Sequence, residues 1–355
     1  MPAHRASYRL AGLGAVALLL STTGCVSSGR SATAQAQDTK CPWEPDTSVK
    51  TTAQIAWQAS PTGDLIVKDM GLLEACMPNA TIKWSQFSSG GDVVQAFGAG
   101  SVDVGMLGSS PATIALSKPL QLPIKVVWIQ EVIGEAEALV VHDKSITDLK
   151  GLAGKRVAVP FSSTSHFSLL QALDSAGLVP GKDLQLVNLA PEAMAAAWNG
   201  NQIDAAWVWN PVLDQLKKTG QQIYSSADTA KAGKPTYDLS AATASFAEQN
   251  PDFMKQWAKA EDYAVKLITD DPNKAAESIA IQMGISPKDV SGLFSGYIYL
   301  PASKQATAEY LGGKVADDLV TTAKFLLSQG SIDGVSPEQA YRDGVDAGPA
   351  SSVTD

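Results

Sequence analysis

The stretch that decides the fold is Arg156-Val157-Ala158-Val159-Pro160-Phe161-Ser162-Ser163-Thr164-Ser165-His166-Phe167-Ser168. Its apolar part, 157–159, is short, rich in β-branched residues and stopped by Pro160, which predicts a β-strand. From residue 169 to residue 176, apolar side chains recur at the i, i+3, i+4, i+7 spacing of an amphipathic helix, and Gly177 ends it. The stretch therefore predicts a strand, a hydroxyl-rich turn and a helix.

The hydroxyl-rich turn is a candidate anion site. Free backbone N–H groups and the positive end of the helix dipole meet at the start of such a helix. No Lys or Arg lies between Val157 and Lys182, so neutral N–H and O–H donors would hold the anion. Ser163, Thr164 and Ser165 are equally compatible with simple helix capping. The hypothesis of a ligand site therefore depends on a second turn of the same kind.

A second strand-to-helix turn lies earlier in the chain. The apolar run 102–107 predicts a strand, and it leads directly into Gly108-Ser109-Ser110-Pro111. Pro111 stands where a helix accepts proline as its first residue, because the missing N–H would be unpaired there anyway. Ser109 and Ser110 thus repeat the combination of hydroxyls and free N–H groups at a helix start.

Short apolar strands alternate with helices over roughly 170 residues, which is typical of an α/β protein. The pattern predicts strands at 53–57, 81–87, 102–107, 125–132, 138–141, 156–159, 184–189 and 203–208. It predicts helices at 64–75, 88–97, 191–198 and 211–218 besides those that follow the two turns, and a mostly helical chain after Phe246. A faint echo between 102–111 and 203–211 indicates two lobes built alike.

The N-terminal segment 1–24 is typical of an export signal. Arg5 and Arg9 precede an apolar run from residue 10 to residue 20, which is too short to span a membrane stably. Small residues then lead to Cys25 in a sequence that resembles a bacterial lipoprotein processing site, so we predict lipid on Cys25. Residues 25–48 are assigned to this anchor and a flexible tether, because 26–38 contain almost no large apolar side chain.

Charge and cysteine content narrow the function class. Loss of 1–24 removes two arginines and no carboxylate, which takes the formal net charge from −9 to −11 and disfavours nucleic acid as a partner. Cys41 and Cys76 then remain as an even pair in an exported chain, which predicts a disulfide, with two buried thiols as the alternative. The three histidines are not paired at ligand spacing, so we predict neither a metal site nor a cofactor.

Several segments, taken together, resemble the nitrate, sulfonate and taurine solute-binding family of bacterial ABC importers, with similar order and spacing from about residue 55 to about residue 329. They are Gly108-Ser109-Ser110-Pro111, Glu137-Ala138-Leu139-Val140-Val141, Ser165-His166-Phe167-Ser168-Leu169-Leu170, Ala195-Ala196-Ala197-Trp198, Ile203-Asp204-Ala205-Ala206-Trp207-Val208-Trp209, and the run from 154 to 161. The resemblance implies a two-lobed periplasmic-binding-protein type II fold, each lobe a mixed sheet flanked by helices. Lobe 1 would comprise 49–138 plus 239–345 and lobe 2 the inserted 139–238, with crossings near Leu139 and Asp238.

The same resemblance implies which residues face the ligand: Gln58, Ser109, Ser110, Thr164, Ser165 and His166. It further implies that Trp198 and Trp207 line the cleft and that Asp238 meets an amine. Glu137 is a second candidate for the amine, with a plain surface charge as the alternative. A core position is the alternative for Trp198.

The resemblance implies taurine, a zwitterionic sulfonate, as the ligand, and the residues themselves favour a zwitterion. A sulfonate has three acceptor oxygens and keeps its charge, so neutral donors at two helix starts suit it. An ammonium group needs a carboxylate or an aromatic face, which Asp238, Glu137, Trp207 and Trp209 offer. Another aliphatic sulfonate, nitrate or bicarbonate is the alternative ligand.

His166, in the hydroxyl-rich turn, predicts that ligand affinity depends on pH. A site with an ionised carboxylate should bind taurine almost uniformly between about pH 6 and 8, whereas His166, with a reference pKa near 6.5, titrates in this range. We predict that His166 donates to the sulfonate, so that lower pH tightens binding.

An enzyme of the same superfamily fold is a distant alternative. Ser165 and His166 are neighbours at a helix start and point apart, and neither a G-x-S-x-G turn nor a Walker pattern is present. We therefore expect a monomeric binding protein without catalytic activity. It would deliver its ligand to ABC permease and ATPase subunits, anchored through lipid on Cys25 to the outer face of the cytoplasmic membrane.

Overall fold

The computed structural model describes residues 40–353, so the predicted export signal, Cys25 and the segment 26–38 lie outside the described residues. Residues 40–48 are held against the body of the protein. Cys41 forms a disulfide with Cys76, with the two Cα atoms 4.8 Å apart. Trp43 Nε1 donates a 2.7 Å hydrogen bond to Gln256 Oε1. Within the segment predicted as anchor and tether, residues 40–48 are therefore held by a covalent link and a partly buried hydrogen bond.

The strands and helices follow one another as the alternation predicts. The strands are β1 (Thr52–Trp57), β2 (Thr81–Gln86), β3 (Val104–Gly108), β4 (Ile124–Ile133), β5 (Glu137–Val141), β6 (Arg156–Val159), β7 (Gln185–Asn188), β8 (Ala205–Trp209), β9 (Gln221–Ser225), β10 (Tyr237–Thr243) and β11 (Tyr297–Ile298). The helices up to β10 are α1 (Gly63–Met70), α2 (Leu72–Cys76), α3 (Gly90–Gly98), α4 (Ser109–Leu116), α5 (Thr164–Ser175), α6 (Pro191–Asn199), α7 (Val212–Lys217) and α8 (Ser226–Lys231). Those after β10 are α9 (Ala244–Gln249), α10 (Pro251–Asp270), α11 (Pro272–Met283), α12 (Pro287–Leu293), α13 (Ala302–Gln305), α14 (Lys314–Ser328), α15 (Glu338–Asp343) and α16 (Gly348–Ser351). Short 3₁₀ turns occupy Leu149–Leu152 and Phe294–Gly296.

The first sheet has the strand order β11-β4-β10-β3-β1-β2. Strand β1 pairs in parallel with β2 and β3, whereas β10 runs antiparallel between β3 and β4. All five residues of β3 are buried, as expected of an inner strand with both faces covered. The two strand ends that matter most for the site, those of β3 and β10, therefore lie side by side.

The second sheet has the strand order β7-β6-β8-β5-β9. Strand β6 runs parallel to β7 and β8, and β5 runs antiparallel to β8 and β9. Successive side chains of β6 point to opposite faces, so Val157 and Val159 pack with Trp207 while Ala158 packs with Trp198. Two mixed sheets flanked by helices confirm the predicted fold class.

The chain passes between the sheets twice, through residues 134–136 after β4 and through residues 232–236 before β10. The predicted crossings near Leu139 and Asp238 fall inside strands instead. Glu137 and Ala138 belong to β5 of the second sheet, and Asp238 belongs to β10 of the first. Both crossings move by only a few residues, and the order of segments is unchanged.

Other differences from the sequence prediction are local. The single helix expected at 64–75 is divided at Gly71, whose φ of 62° lies in the left-handed region that glycine adopts without strain. Strands β9, β10 and β11 were not predicted, because their short segments lack the alternation that signals a strand. None of the helices within 40–353 combines the length and apolar character needed to cross a membrane.

Candidate ligand-binding site

A cavity between the two sheets is the candidate ligand site. Its free volume is only about 20 Å³, roughly the space that one water molecule needs, so the two halves of the molecule are packed closely around it. The part of the chain that carries the first sheet contributes Gln58, Ser60, Gly90, Met106, Gly108, Pro111 and Asp238. The part that carries the second sheet contributes Glu137, Ser163, Thr164 and Trp209. A ligand in this cavity would contact both halves of the molecule.

The first turn, residues 108–111, ends β3 and begins α4. Ser109 Oγ accepts a 3.2 Å hydrogen bond from the backbone N–H of Tyr237, which fastens the start of the helix to β10. In the antiparallel pairing of β3 with β10, Asp238 lies opposite Gly108. The first turn therefore has a carboxylate beside it, and its first serine hydroxyl holds the strand that carries this carboxylate.

The second turn, residues 160–166, leads from β6 into α5. Ser163 caps the helix, because its Oγ accepts from the His166 backbone N–H at 3.1 Å and donates to the Pro160 carbonyl at 2.6 Å. Thr164 Oγ1 donates a 2.5 Å hydrogen bond to Glu137 Oε1. The second turn also has a carboxylate beside it, but here a hydroxyl of the turn binds the carboxylate directly.

The two carboxyl groups of the cavity are buried, which disfavours their charged forms. Burial raises the pKa of Glu137 to about 8, and repulsion from the Asp238 carboxylate adds to the shift. Burial likewise raises the pKa of Asp238, against the opposing effect of a hydrogen bond with Glu131. The expectation of a carboxylate already ionised at neutral pH therefore does not hold for Glu137, because its raised pKa favours the protonated form at pH 7.

Three further buried carboxyl groups extend from Asp238. Glu131 lies opposite Asp238 in the pairing of β4 with β10, and burial together with repulsion from Asp238 raises its pKa. Burial raises the pKa of Asp64 to about 6. Burial and the charge of Asp64 raise the pKa of Glu261. This acidic cluster was not predicted, although an acid inside the apolar run of β4 signals a buried carboxyl group.

The structure brings four of the predicted ligand-facing residues to the cavity: Gln58, Glu137, Thr164 and Asp238. The Gln58 side chain is oriented by its Nε2, which donates to the Met106 carbonyl at 3.0 Å. Ser109, Ser110 and Ser165 are buried within the two turns but do not line the cavity. No position-specific signal in the sequence points to Ser60 or Met106, which line the cavity because Ser60 follows the end of β1 and Met106 lies within β3.

His166 does not line the cavity. Its ring stacks on Phe161 with centroids 4.6 Å apart, and its Nδ1 accepts a 3.3 Å hydrogen bond from the Ser162 backbone N–H. Burial lowers the pKa of His166 to about 4, so the ring is neutral between pH 6 and 8. This environment disfavours the predicted tightening of binding through protonation of His166 in that range.

The two predicted cleft tryptophans lie on the faces of the second sheet. Trp198 stacks on His142 with ring centroids 4.1 Å apart, and its Nε1 donates to Thr219 Oγ1 at 2.9 Å. Trp207 is completely buried in the apolar cluster on the opposite face. Trp209, two residues after Trp207, is the last residue of β8, and its side chain lines the cavity. Among the described residues, no cluster of His, Cys, Asp and Glu has the arrangement of a metal site.

Comparison with known proteins identifies the family to which this chain belongs. The sequence pattern of the NMT1-like family matches residues 49–283, which include both turns and both cavity carboxylates. The chain belongs to the NMT1-like family. The taurine-binding periplasmic protein of Escherichia coli (strain K12) is 40% identical to it over 263 residues, which cover 72% of this chain and 80% of that protein.

Solved structures similar to this NMT1-like chain share its fold. The periplasmic aliphatic sulphonate binding protein SsuA from Escherichia coli superposes with a TM-score of 0.68 at 22% identity, covering 82% of this chain and 97% of that one. The desulfurization enzyme DSZB superposes with a TM-score of 0.58 at 16% identity, covering 82% and 96%. These likenesses confirm the predicted periplasmic-binding-protein fold. They also show that this fold occurs in both a binding protein and an enzyme, so the function has to be inferred from the residues of the site.

Proposed function

We propose that this chain is the extracytoplasmic solute-binding component of an ABC importer, and that it captures taurine between its two lobes for delivery to the permease. The observation that carries the proposal is that the carboxyl groups of Glu137 and Asp238 line the same cavity. One comes from each sheet, and both line a cavity flanked by two helix-starting turns. The name of the relative from Escherichia coli supports the same ligand.

The chemistry of the cavity favours a zwitterion. Two buried carboxyl groups with raised pKa values would repel a simple anion once ionised, and they gain a partner when an ammonium group arrives. The aromatic face of Trp209 also favours a cation. The helix starts of α4 and α5 supply the positive ends of two dipoles for the sulfonate. Taurine carries both charges within one small molecule.

Closure of two lobes is the expected way to bury such a ligand. We propose lobe 1 as residues 49–133 plus 237–345 and lobe 2 as the inserted 137–231, with 134–136 and 232–236 as the hinge. The hinge assignment is supported by the two passages of the chain between the sheets. Residues that absorb hinge motions typically lie at the ends of secondary-structure elements, as both of these segments do.

The remaining expectations concern the cell envelope and catalysis. We propose that lipid on Cys25 anchors a monomer to the outer face of the cytoplasmic membrane, which the mass of the mature N-terminal peptide would test. We also propose that the protein has no catalytic role. The hydroxyls of Ser163 and Thr164 are bound to the Pro160 carbonyl and to Glu137, so neither is paired with a histidine base in the cavity.

Calorimetric titration of the ligand-free protein tests the proposal. Taurine, ethanesulfonate, nitrate, bicarbonate and sulfate would be titrated separately at one pH and one ionic strength. We expect taurine to bind most tightly, because only taurine places a cation and a sulfonate in the same cavity. Binding of ethanesulfonate in preference to taurine would replace the zwitterion by a simple sulfonate. Absence of binding to both sulfonates would refute the proposal.

A further inference from the structure

Gly108 of β3 and Thr164 of α5 meet across the two sheets. A Cβ atom built on Gly108 would lie 2.4 Å from Thr164 Cγ2, far inside van der Waals contact. The next atoms that it would meet are Pro111 Cδ at 3.4 Å and Thr164 Cβ at 3.5 Å, which are close to ordinary contact distances. The conflict is therefore with a single methyl group on the opposite half of the molecule.

The backbone of Gly108 does not require glycine. Its φ of −72° and ψ of 165° are extended values that any L-residue adopts. Since neither conformation nor packing within the first half excludes a side chain here, the close approach of Thr164 is what leaves no room for one.

We infer that Gly108 is a positioning residue for closure: its missing side chain allows the Thr164 methyl group to seat against β3, and only then does the cavity close around a ligand. Thr164 cannot move its methyl group aside freely, because its Oγ1 is bound to Glu137. The same rotamer therefore seats the methyl group and holds the carboxylate. The inference rests on the proposed function only for its choice of ligand.

A second glycine at the same interface supplies a matched control. A Cβ atom on Gly91 of α3 would lie 3.5 Å from Ser162 Cβ and 3.7 Å from the Phe161 carbonyl oxygen, both ordinary contacts. Gly91→Ala thus adds a methyl group between the same two halves without a clash. Gly108→Ala adds one that clashes.

Taurine affinity and apo stability should be compared in Gly108→Ala, Thr164→Ser, the double variant and Gly91→Ala. We expect Gly108→Ala to raise the Kd about ten- to a hundredfold, since overpacking of this size costs roughly 1–3 kcal/mol. The melting temperature of its ligand-free form should stay at the wild-type value. Thr164→Ser removes Cγ2 and keeps the hydroxyl, so the double variant should bind within about threefold of Thr164→Ser alone. Gly91→Ala should bind like the wild type.

A cross-linking assay reads closure without any ligand. The built Cβ of Gly91 lies at a distance from Ser162 Cβ that suits a disulfide, so Gly91→Cys with Ser162→Cys should cross-link when the halves meet. Adding Gly108→Ala should slow oxidation of this pair about tenfold, and adding Thr164→Ser as well should restore the rate. Unchanged cross-linking in the Gly108→Ala background, or no recovery with Thr164→Ser, would overturn the inference. Failure of the wild type to bind taurine would count against the proposed function instead and leave the cross-linking result standing.

Discussion

The first turn and the second turn look alike in sequence, but they use their hydroxyls differently. In the first turn, Ser109 is bound to the backbone of β10, and the neighbouring Asp238 lies opposite a second carboxyl group, Glu131. In the second turn, Thr164 is bound to the neighbouring Glu137 itself. Each turn thus brings one carboxylate to the cavity. The first fixes it through the strand, and the second fixes it through the side chain.

This difference separates the two carboxylates electrostatically. Burial raises the pKa of Glu137, but the Thr164 hydroxyl that donates to it stabilises the charged form and so lowers this pKa in part. Asp238 instead has an acidic neighbour: the Asp238 charge raises the pKa of Glu131, so the proton of this pair stays on Glu131, and the interaction with Glu131 favours the charged form of Asp238. We therefore expect two half-sites, the first turn with Asp238 and the second turn with Glu137, to respond differently to substitution and to pH.

The largest expected effect comes from neutralising the half-site of the first turn. Asp238→Asn should weaken taurine about ten- to a hundredfold, because a charge-assisted hydrogen bond at a buried site contributes roughly 1.5–3 kcal/mol. Ethanesulfonate should keep its affinity, since it has no ammonium group to lose. Calorimetric titration of both ligands gives the comparison directly.

Glu137→Gln is the matched variant for the second turn, with the same loss of charge in the same cavity. Equal losses for taurine and ethanesulfonate in Asp238→Asn would show that Asp238 maintains the structure. The ammonium site would then belong to Glu137, and Glu137→Gln alone should discriminate the two ligands.

A smaller effect is expected from pH in the wild type. Glu137 has a raised pKa of about 8 and an ammonium partner favours its charged form, so capture of an ammonium group releases a proton at lower pH. Taurine should therefore bind more tightly as pH rises from 6 to 8, by up to about tenfold per pH unit for each proton released. Ethanesulfonate should show a flat or opposite trend, because a sulfonate prefers the protonated carboxyl group. The released proton can be counted from the dependence of the binding enthalpy on the ionisation enthalpy of the buffer, and an enthalpy that does not depend on the buffer would contradict the shift.

The sequence could predict the two turns because local rules determine them. A short β-branched run, a stop and a helix start with hydroxyls need no distant partner to be recognised, as 157–164 illustrates. Strand β10 is different. Its Leu239-Ser240-Ala241-Ala242 lacks alternation, and this segment is a strand because β3 and β4 pair with it on both sides.

The tryptophans show a second limit of sequence reading. Both faces of the second sheet are covered, so an apolar strand does not reveal which of its side chains meets the cavity. The position of Trp209 at the end of β8 decides its role, since the cavity lies at the strand ends. Strand ends could be located only to within a few residues, and Trp207 and Trp209 differ by two.

The hydroxyls of the two turns should matter more for stability than for binding. Ser109→Ala leaves the buried N–H of Tyr237 without its acceptor, and Ser163→Ala removes the cap of α5, so each should lower the free energy of unfolding by about 1–2 kcal/mol. Taurine affinity should change by less than about threefold in both variants, because the Ser163 hydroxyl already donates to the Pro160 carbonyl and Ser109 does not line the cavity. Chemical denaturation and calorimetry measure the two quantities separately. A loss of affinity without a loss of stability in either variant would assign that hydroxyl to the ligand.

The smallest effect is expected at His166, which sits in the second turn and has no counterpart in the first. Its neutral ring stacks on Phe161 and accepts from Ser162, and its pKa of about 4 leaves its charge unchanged between pH 6 and 8. His166→Ala should therefore shift taurine affinity by less than about threefold and keep the rise in affinity with pH. The contribution of this ring appears at lower pH. Because its folded pKa is depressed below the unfolded value near 6.5, stability is lost as pH falls from about 6.5 towards 4, by up to about 1.4 kcal/mol per pH unit. The alanine variant should lose less stability over that interval, which denaturation curves at pH 7, 6 and 5 would measure. If His166→Ala instead removed the pH dependence of taurine binding between 6 and 8, the trend would belong to the histidine, and the two carboxylates would not release a proton to the ligand.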